Sequence, residues 1–269
     1  MQAETASAFD WRDGAAYAPL LGADRSLFAW EWLRRDREYR AAACAGAGDA
    51  EAAEFGLVAF EHPDRSAPVA RPLWRSDVHP LVLRVERGGD ARTGDQFDVR
   101  RMSHVAALVA NQAAEHLLLS DGLRAVRLDG PPGTFGAEPL CLRYLLEGLA
   151  SAEPALLTLQ RFLALCRSGH FSRSLHPSEP RARRWILMLR AWDGIAAGAG
   201  QREIAAELLS RSAGEPRWRS RESSLRSQSQ RLVRSARMLA LGGYRALLGH
   251  HHAAVRNLAS STMDERKGA

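Results

Sequence analysis

The feature that most constrains this chain is a pair of amphipathic helical patterns on either side of a break that neither can cross. Over 201–210, QREIAAELLS places Ile204, Ala205, Leu208 and Leu209 on one face, with a small residue where a second helix must approach closely, and leaves Glu203 and Glu207 outward. The next residues, RSAGEPRW, contain Gly214 and Pro216 and cannot continue the helix. From about Ser220 to Leu241 a second helix carries Leu225, Leu232, Ala236 and Leu239 on one side, and Gly242-Gly243 closes it. Two helices sharing an apolar face across a short break define a helix-turn-helix. The connection here is longer than the usual three or four residues, which predicts a variant or winged arrangement.

The side of the second helix opposite its leucines collects Ser223, Arg226, Ser227, Gln230, Arg231, Arg234 and Arg237. Arg217, Arg219 and Arg221 precede them at the helix N-terminus, where the helix dipole also favours phosphate. These residue types read duplex DNA: arginine takes guanine bidentately, glutamine takes adenine, and serine and further arginines hold phosphates. A solvated arginine face is the plainer alternative, but a face shaped only for solubility mixes signs. No acid occurs from Ser223 to Arg237. Charge mapping points the same way. The chain is net +6, yet fourteen arginines meet only five acids between Pro180 and Gly249, so the remainder is net acidic. Basicity confined to one segment is the footprint of a polyanion-binding domain.

Other classes find little support. With 269 residues, 46% of them hydrophobic, the chain can bury a real core. No apolar run approaches the roughly 18 residues of a membrane span, and Glu4, Asp10, Arg12 and Asp13 stand where a secretory signal would be apolar. A cytoplasmic, nucleoid-associated protein without membrane contact is expected. Cys44, Cys141 and Cys166 are far apart and predict buried free thiols. His250, His251 and His252 lack a partner ligand and read as surface residues, so no metal and no cofactor is expected. LDGPPGTFG at 128–136 has the glycines of a phosphate loop, but Phe135 and Gly136 stand where lysine and Ser/Thr are needed, so it reads as a turn. Asp193 lacks a matched acid or nucleophile and reads as structural. No catalytic constellation appears, and an enzyme is not expected.

The expected fold is mainly α with a small β element, α+β, ending in the variant helix-turn-helix. The expected segments are an aromatic helical module at 1–45, a linker at 46–72, a small α/β region at 73–135, a helical DNA-binding domain at 136–249 and a tail at 250–269. Within them the patterns predict a helix from Asp24 to Ala43, a strand over 80–85, a helix over Arg100–Ala113, two strands joined at Asp121-Gly122, and helices at Leu140–Gly148, Ala152–Ser168 and Pro180–Ala197. The front module lies outside the basic segment and reads as separable from it.

RRWILMLRAWDGIAAGAGQREIAAELLS followed by EPRWRSRESSLRSQSQRLVRSARMLALGGYRALL resembles the C-terminal DNA-binding domain of RovC-type activators of type VI secretion and FseA-type activators of conjugative-element excision. DWRDGAAYAPLLGADRSLFAWEWLRRDREYRA resembles the transcriptional regulator domain that precedes it in such activators. The resemblance implies sequence-specific binding of duplex DNA, activation of mobile-element or secretion genes, homo-oligomerisation, and RNA polymerase or an antiactivator protein as further partners. Short relatives lacking the front domain act as antiactivators, and a protein-binding antiactivator or assembly module is the alternative function. Trp11, Trp30, Glu31, Leu33, Arg34, Arg35 and Tyr39 favour the activator. Of these, Arg34, Arg35 and Tyr39 are expected on a partner surface.

Overall fold

The computed structural model describes residues 10–89, 92–136, 138–209 and 218–249. It is an α+β fold with two cores, and the two do not follow the segments expected from the sequence.

The first core begins with a 3-10 helix at Gly14–Gly22 and helix α1 at Arg25–Leu33. Every residue of α1 from Leu27 to Leu33 is buried, so this helix is enclosed on all sides and has no solvent face. The expected single helix to Ala43 is broken at Arg34–Asp36. The Asp36 carboxylate accepts hydrogen bonds from the Glu38 and Tyr39 amides and starts a new helix, α2, at Arg37–Cys44. Helix α3 follows at Asp49–Glu54. The expected linker is a strap over α1 and α2: Trp30 Nε1 donates to the Arg65 carbonyl (2.9 Å) and the Tyr39 hydroxyl to the Glu61 carbonyl (2.6 Å).

This unit closes on the C-terminal helices α5 (Ala182–Ala196), α6 (Gln201–Leu209) and α7 (Trp218–Ala240). Trp11, Tyr17, Phe28 and Trp30 share one buried cluster with Trp185, Leu189, Ile204, Leu232, Ala236 and Tyr244. Phe28 meets Trp185 edge-on, ring centroids 5.0 Å apart. The front module is therefore built into the same core as the helix-turn-helix and is not separable from it. A 3-10 turn at Gly243–Leu247 ends the described chain against α1. Gly242, at φ +95°, makes the αL turn that closes α7.

The second core is a six-stranded sheet with helix α4. The strands are β1 (Leu83–Arg87), β2 (Gln96–Phe97), β3 (Ala106–Ala110), β4 (Glu115–Ser120), β5 (Ala125–Gly130) and β6 (Leu140–Leu145), in the order β2-β6-β1-β5-β4-β3. Only β1 and β5 run parallel. Helix α4 (Leu149–Ser168) seals one face, setting Phe162 and Leu165 against Leu83, Leu117, Leu128 and their neighbours. Two expected helices are strands here. Arg100–Ala113 holds a 3-10 turn and β3, and Leu140–Gly148 holds β6, because short apolar runs lack a period and pairing decides them. β6 is bonded on both edges, to β2 and β1. The hairpin at Asp121-Gly122 forms as expected. Gly122 sits at φ +102°, where a Cβ would lie 2.4 Å from the Pro68 carbonyl oxygen.

The front unit and the C-terminal helices of the first core are joined by a buried ionic cluster. Arg35 of the α1–α2 junction binds Asp193 of α5 bidentately (2.7 and 2.8 Å), and the Tyr17 hydroxyl donates to the same carboxylate (2.6 Å). Glu31, only 2% exposed, pairs with Arg34 and Arg35 and accepts the Ala67 amide. Burial pushes the Glu31 carboxyl upward, but the guanidiniums of Arg35 and Arg34 outweigh it and hold it below the usual range. A depressed carboxyl pKa stabilises the fold above the ordinary glutamate range, and the stability is lost as pH falls through the lower, folded-state value. Asp193→Asn turns the carboxylate that faces the Arg35 fork and the Tyr17 hydroxyl into a neutral amide and leaves Glu31 as the remaining carboxylate partner of Arg35. It should cost about 3–5 kcal/mol in urea unfolding of the full chain, with far-UV and tryptophan signals lost together; a loss under about 1 kcal/mol contradicts the bridging role.

Candidate nucleic-acid interface

The apolar stripe of α7 forms first and dictates what remains outside. Leu232, Ala236, Leu239 and Ala240 are buried against α5 and α6, with Leu225 half-buried. The gap in the sequence pattern between Leu225 and Leu232 is filled by Ser229, which is buried and donates its hydroxyl to the Gln201 carbonyl at 3.3 Å. That bond fixes the start of α6 on the middle of α7. Ser229 was not singled out in the sequence because its residue type is polar, although its place in the stripe marks it.

On the other side Arg226, Ser227, Gln230, Arg231, Arg234 and Arg237 are all exposed, as the sequence predicts. Arg219, Arg221 and Ser223 fall within α7, but their side chains lie outside what the structure describes, and Arg217 lies outside the described residues altogether. Gln230, Arg234 and Arg237 line a groove of about 350 Å³ with Gln201, Ile204 and Val233, between α7 and the start of α6.

The acids of the neighbouring helix are already engaged. Glu203 of α6 is bonded by Arg12, and Glu207 lies 3.6 Å from Arg190 of α5. Arg190 in turn donates to the Trp11 carbonyl (2.8 Å) and the Arg12 carbonyl (2.7 Å). Among the described residues, no carboxylate forms an ion pair with Arg226, Arg231, Arg234 or Arg237. Four guanidiniums thus share a face with no described carboxylate partner, an arrangement that attracts a polyanion.

Arg34, Arg35 and Tyr39 do not form the partner surface expected of them. Arg34 and Tyr39 are buried, and Arg35 is held between Glu31 and Asp193. The break at Asp36 turns the two arginines inward, where only paired charge is tolerated. Asp193 is structural, as expected. The 128–136 loop is a turn whose amides are occupied: the Glu115 carboxylate accepts from the Gly133 and Phe135 amides, both at 2.8 Å. The three cysteines are free, but Cys44 and Cys166 are exposed where burial was expected. His250–His252 lie outside the described residues. No helix among the described residues is long and apolar enough to cross a membrane.

Residues 147–249 match the family model described as the DNA-binding domain of T6SS transcription factors, and residues 10–60 match the proteobacterial transcriptional regulator-like domain. A regulator-like domain joined to that DNA-binding domain defines a DNA-binding transcriptional regulator. Both matched regions agree with the RovC-type resemblance carried by the sequence. No curated protein and no solved structure matches it.

Binding by this face should be strongly salt-dependent. If about five to seven arginines reach phosphates, log K for the full chain on duplex DNA should fall against log salt with a slope of roughly −4.5 to −6. Fluorescence anisotropy reads this directly, and a slope near zero contradicts an arginine-based contact. The full chain is required, because the front module completes the core beneath α7.

Proposed function

We propose that this protein is a sequence-specific transcriptional activator that lays the exposed face of α7 in the major groove and acts on mobile-element excision or transfer genes or on secretion genes. The observation that carries the reading is the acid-free face of α7, with Arg226, Gln230, Arg231, Arg234 and Arg237 all exposed on a helix whose other face is locked into a core. Arg226 and Gln230 are one turn apart and supply the two bidentate base readers, while Arg234 and Arg237 lie further along, where a recognition helix leaves the groove and meets phosphate. Arg217, Arg219, Arg221, Ser223, Ser227 and Arg231 complete the contact with the backbone. The activator assignment is supported by the resemblance of the front region to activators and by the match of residues 10–60 to a regulator-like domain. RNA polymerase is the proposed recipient of the activating contact.

Base readers and phosphate binders should separate on mutation. Arg226→Ala or Gln230→Ala is expected to cost about 1–3 kcal/mol on the cognate site and to relax preference at one or two base pairs. Arg234→Ala and Arg237→Ala should weaken cognate and random DNA alike, each reducing the salt slope by about one. Binding selection on randomised duplexes is the test. An unchanged consensus at undiminished affinity for the Arg226 and Gln230 variants would mean that α7 is not the reader; no binding by the wild type at all would favour an antiactivator that works through protein contact.

A further inference from the structure

A cavity of about 540 Å³ lies where the β4–β5 turn, the residues just before β3 and the segment following α4 come together. That volume is in the range of small-molecule sites. Four of its lining side chains are basic, His104, Arg124, His170 and Arg173, and they reach it from three separate stretches of the chain. The acid beside them, Asp121, is already engaged. One of its carboxylate oxygens accepts from the Leu123 and Arg124 amides of its own turn (3.0 and 2.8 Å), and the other accepts from Arg124 Nη1 (3.1 Å). Among the described residues, no carboxylate forms an ion pair with His104, His170 or Arg173.

The walls hold these groups in place. Arg124 Nη1 also donates to the Phe171 carbonyl (3.4 Å), which ties the turn to the segment after α4. His170 Nδ1 donates to the Ser168 carbonyl (2.9 Å) at the end of α4, which leaves Nε2 for a ligand. Phe171, buried on the cavity wall, meets the His176 ring edge-on at 5.7 Å. Burial lowers the His176 pKa, and the Arg161 and Arg124 guanidiniums lower it further, so the cationic field extends behind the wall as well. Guanidiniums and imidazoles converging from several directions, with the acid beside them occupied, match a compact dianion that has several acceptor oxygens. The cavity leaves room for an organic body beyond the phosphate group itself.

We propose that this cavity binds a small phosphate ester. The segment after α4 runs on to Glu179, whose amide donates to the Ala23 carbonyl (3.2 Å) and whose carboxylate pairs with Arg25 (3.0 Å). A ligand gripping both walls therefore acts on the connection between the sheet and the core that carries α7. The site uses no residue of α7 and does not depend on the DNA reading. The test is calorimetric titration of the full chain, free of DNA and at constant ionic strength, with inorganic phosphate, glycerol phosphate, phosphoenolpyruvate and AMP, and with adenosine as the uncharged control. At least one ester should bind saturably at a single site, tighter than inorganic phosphate by about tenfold or more, and adenosine should not bind. His104→Ala with Arg173→Ala should weaken that ester by at least about tenfold, at an unchanged melting temperature because both residues are exposed. Arg234→Ala with Arg237→Ala, on α7, should leave its binding unchanged. No ester binding tighter than inorganic phosphate, or binding lost with the α7 pair and kept with the cavity pair, overturns the proposal. So does a cavity pair whose sole effect is weaker binding of duplex DNA, which would make these residues a contact to the DNA backbone.

Discussion

Asp193 is the point on which this structure turns. Its carboxylate, on the central helix of the C-terminal bundle, accepts the Arg35 fork and the Tyr17 hydroxyl, both from the first forty residues of the chain. Arg35 also binds Glu31, and Glu31 binds Arg34, so one buried chain of charges crosses between the regulator-like domain and the DNA-binding domain. Breaking such a cluster is far more costly than forming it is favourable, because the charge left behind has no water. Its role is to fix one docking of the two domains and penalise any other, while the surrounding Trp11, Phe28, Trp30 and Trp185 supply the burial.

The consequence reaches the exposed arginine face of α7. α7 is held by α5 and α6, α5 is held by the front module through Arg190 and Asp193, and Arg12 and Arg190 engage the carboxylates of α6. Arg12 of the front module and Arg190 of α5 thus each pair with one carboxylate of α6. α7 is itself anchored by Ser229 on the Gln201 carbonyl and by Leu232 and Ala236 in the core.

Much of this was legible in the residues. The two helices of the C-terminal motif, their apolar stripes and the outward arginines follow from periods of three and four residues, which a helix cannot disguise. The hairpin at Asp121-Gly122 is equally plain. What stayed hidden required knowledge of the partner. Arg34-Arg35 reads as surface until Asp193, 158 residues after Arg35, is placed beside it. LCLRYL and AALVA hold no period long enough to choose between helix and strand, and the sheet chose for them. The strap at 61–67 reads as linker because its function is to present backbone carbonyls to Trp30, Arg34 and Tyr39, and carbonyls leave no trace in sequence.

The central claim, that the front module and the C-terminal helices form one cooperative unit carrying α7, is tested most directly by native-state hydrogen exchange of the full chain at rising denaturant. The slowest amides of α1, α5 and α7 should open with one free energy and one denaturant dependence, as a single unit does. If α1 instead exchanges through a separate opening that leaves α5 and α7 protected, the two domains are independent and the account fails.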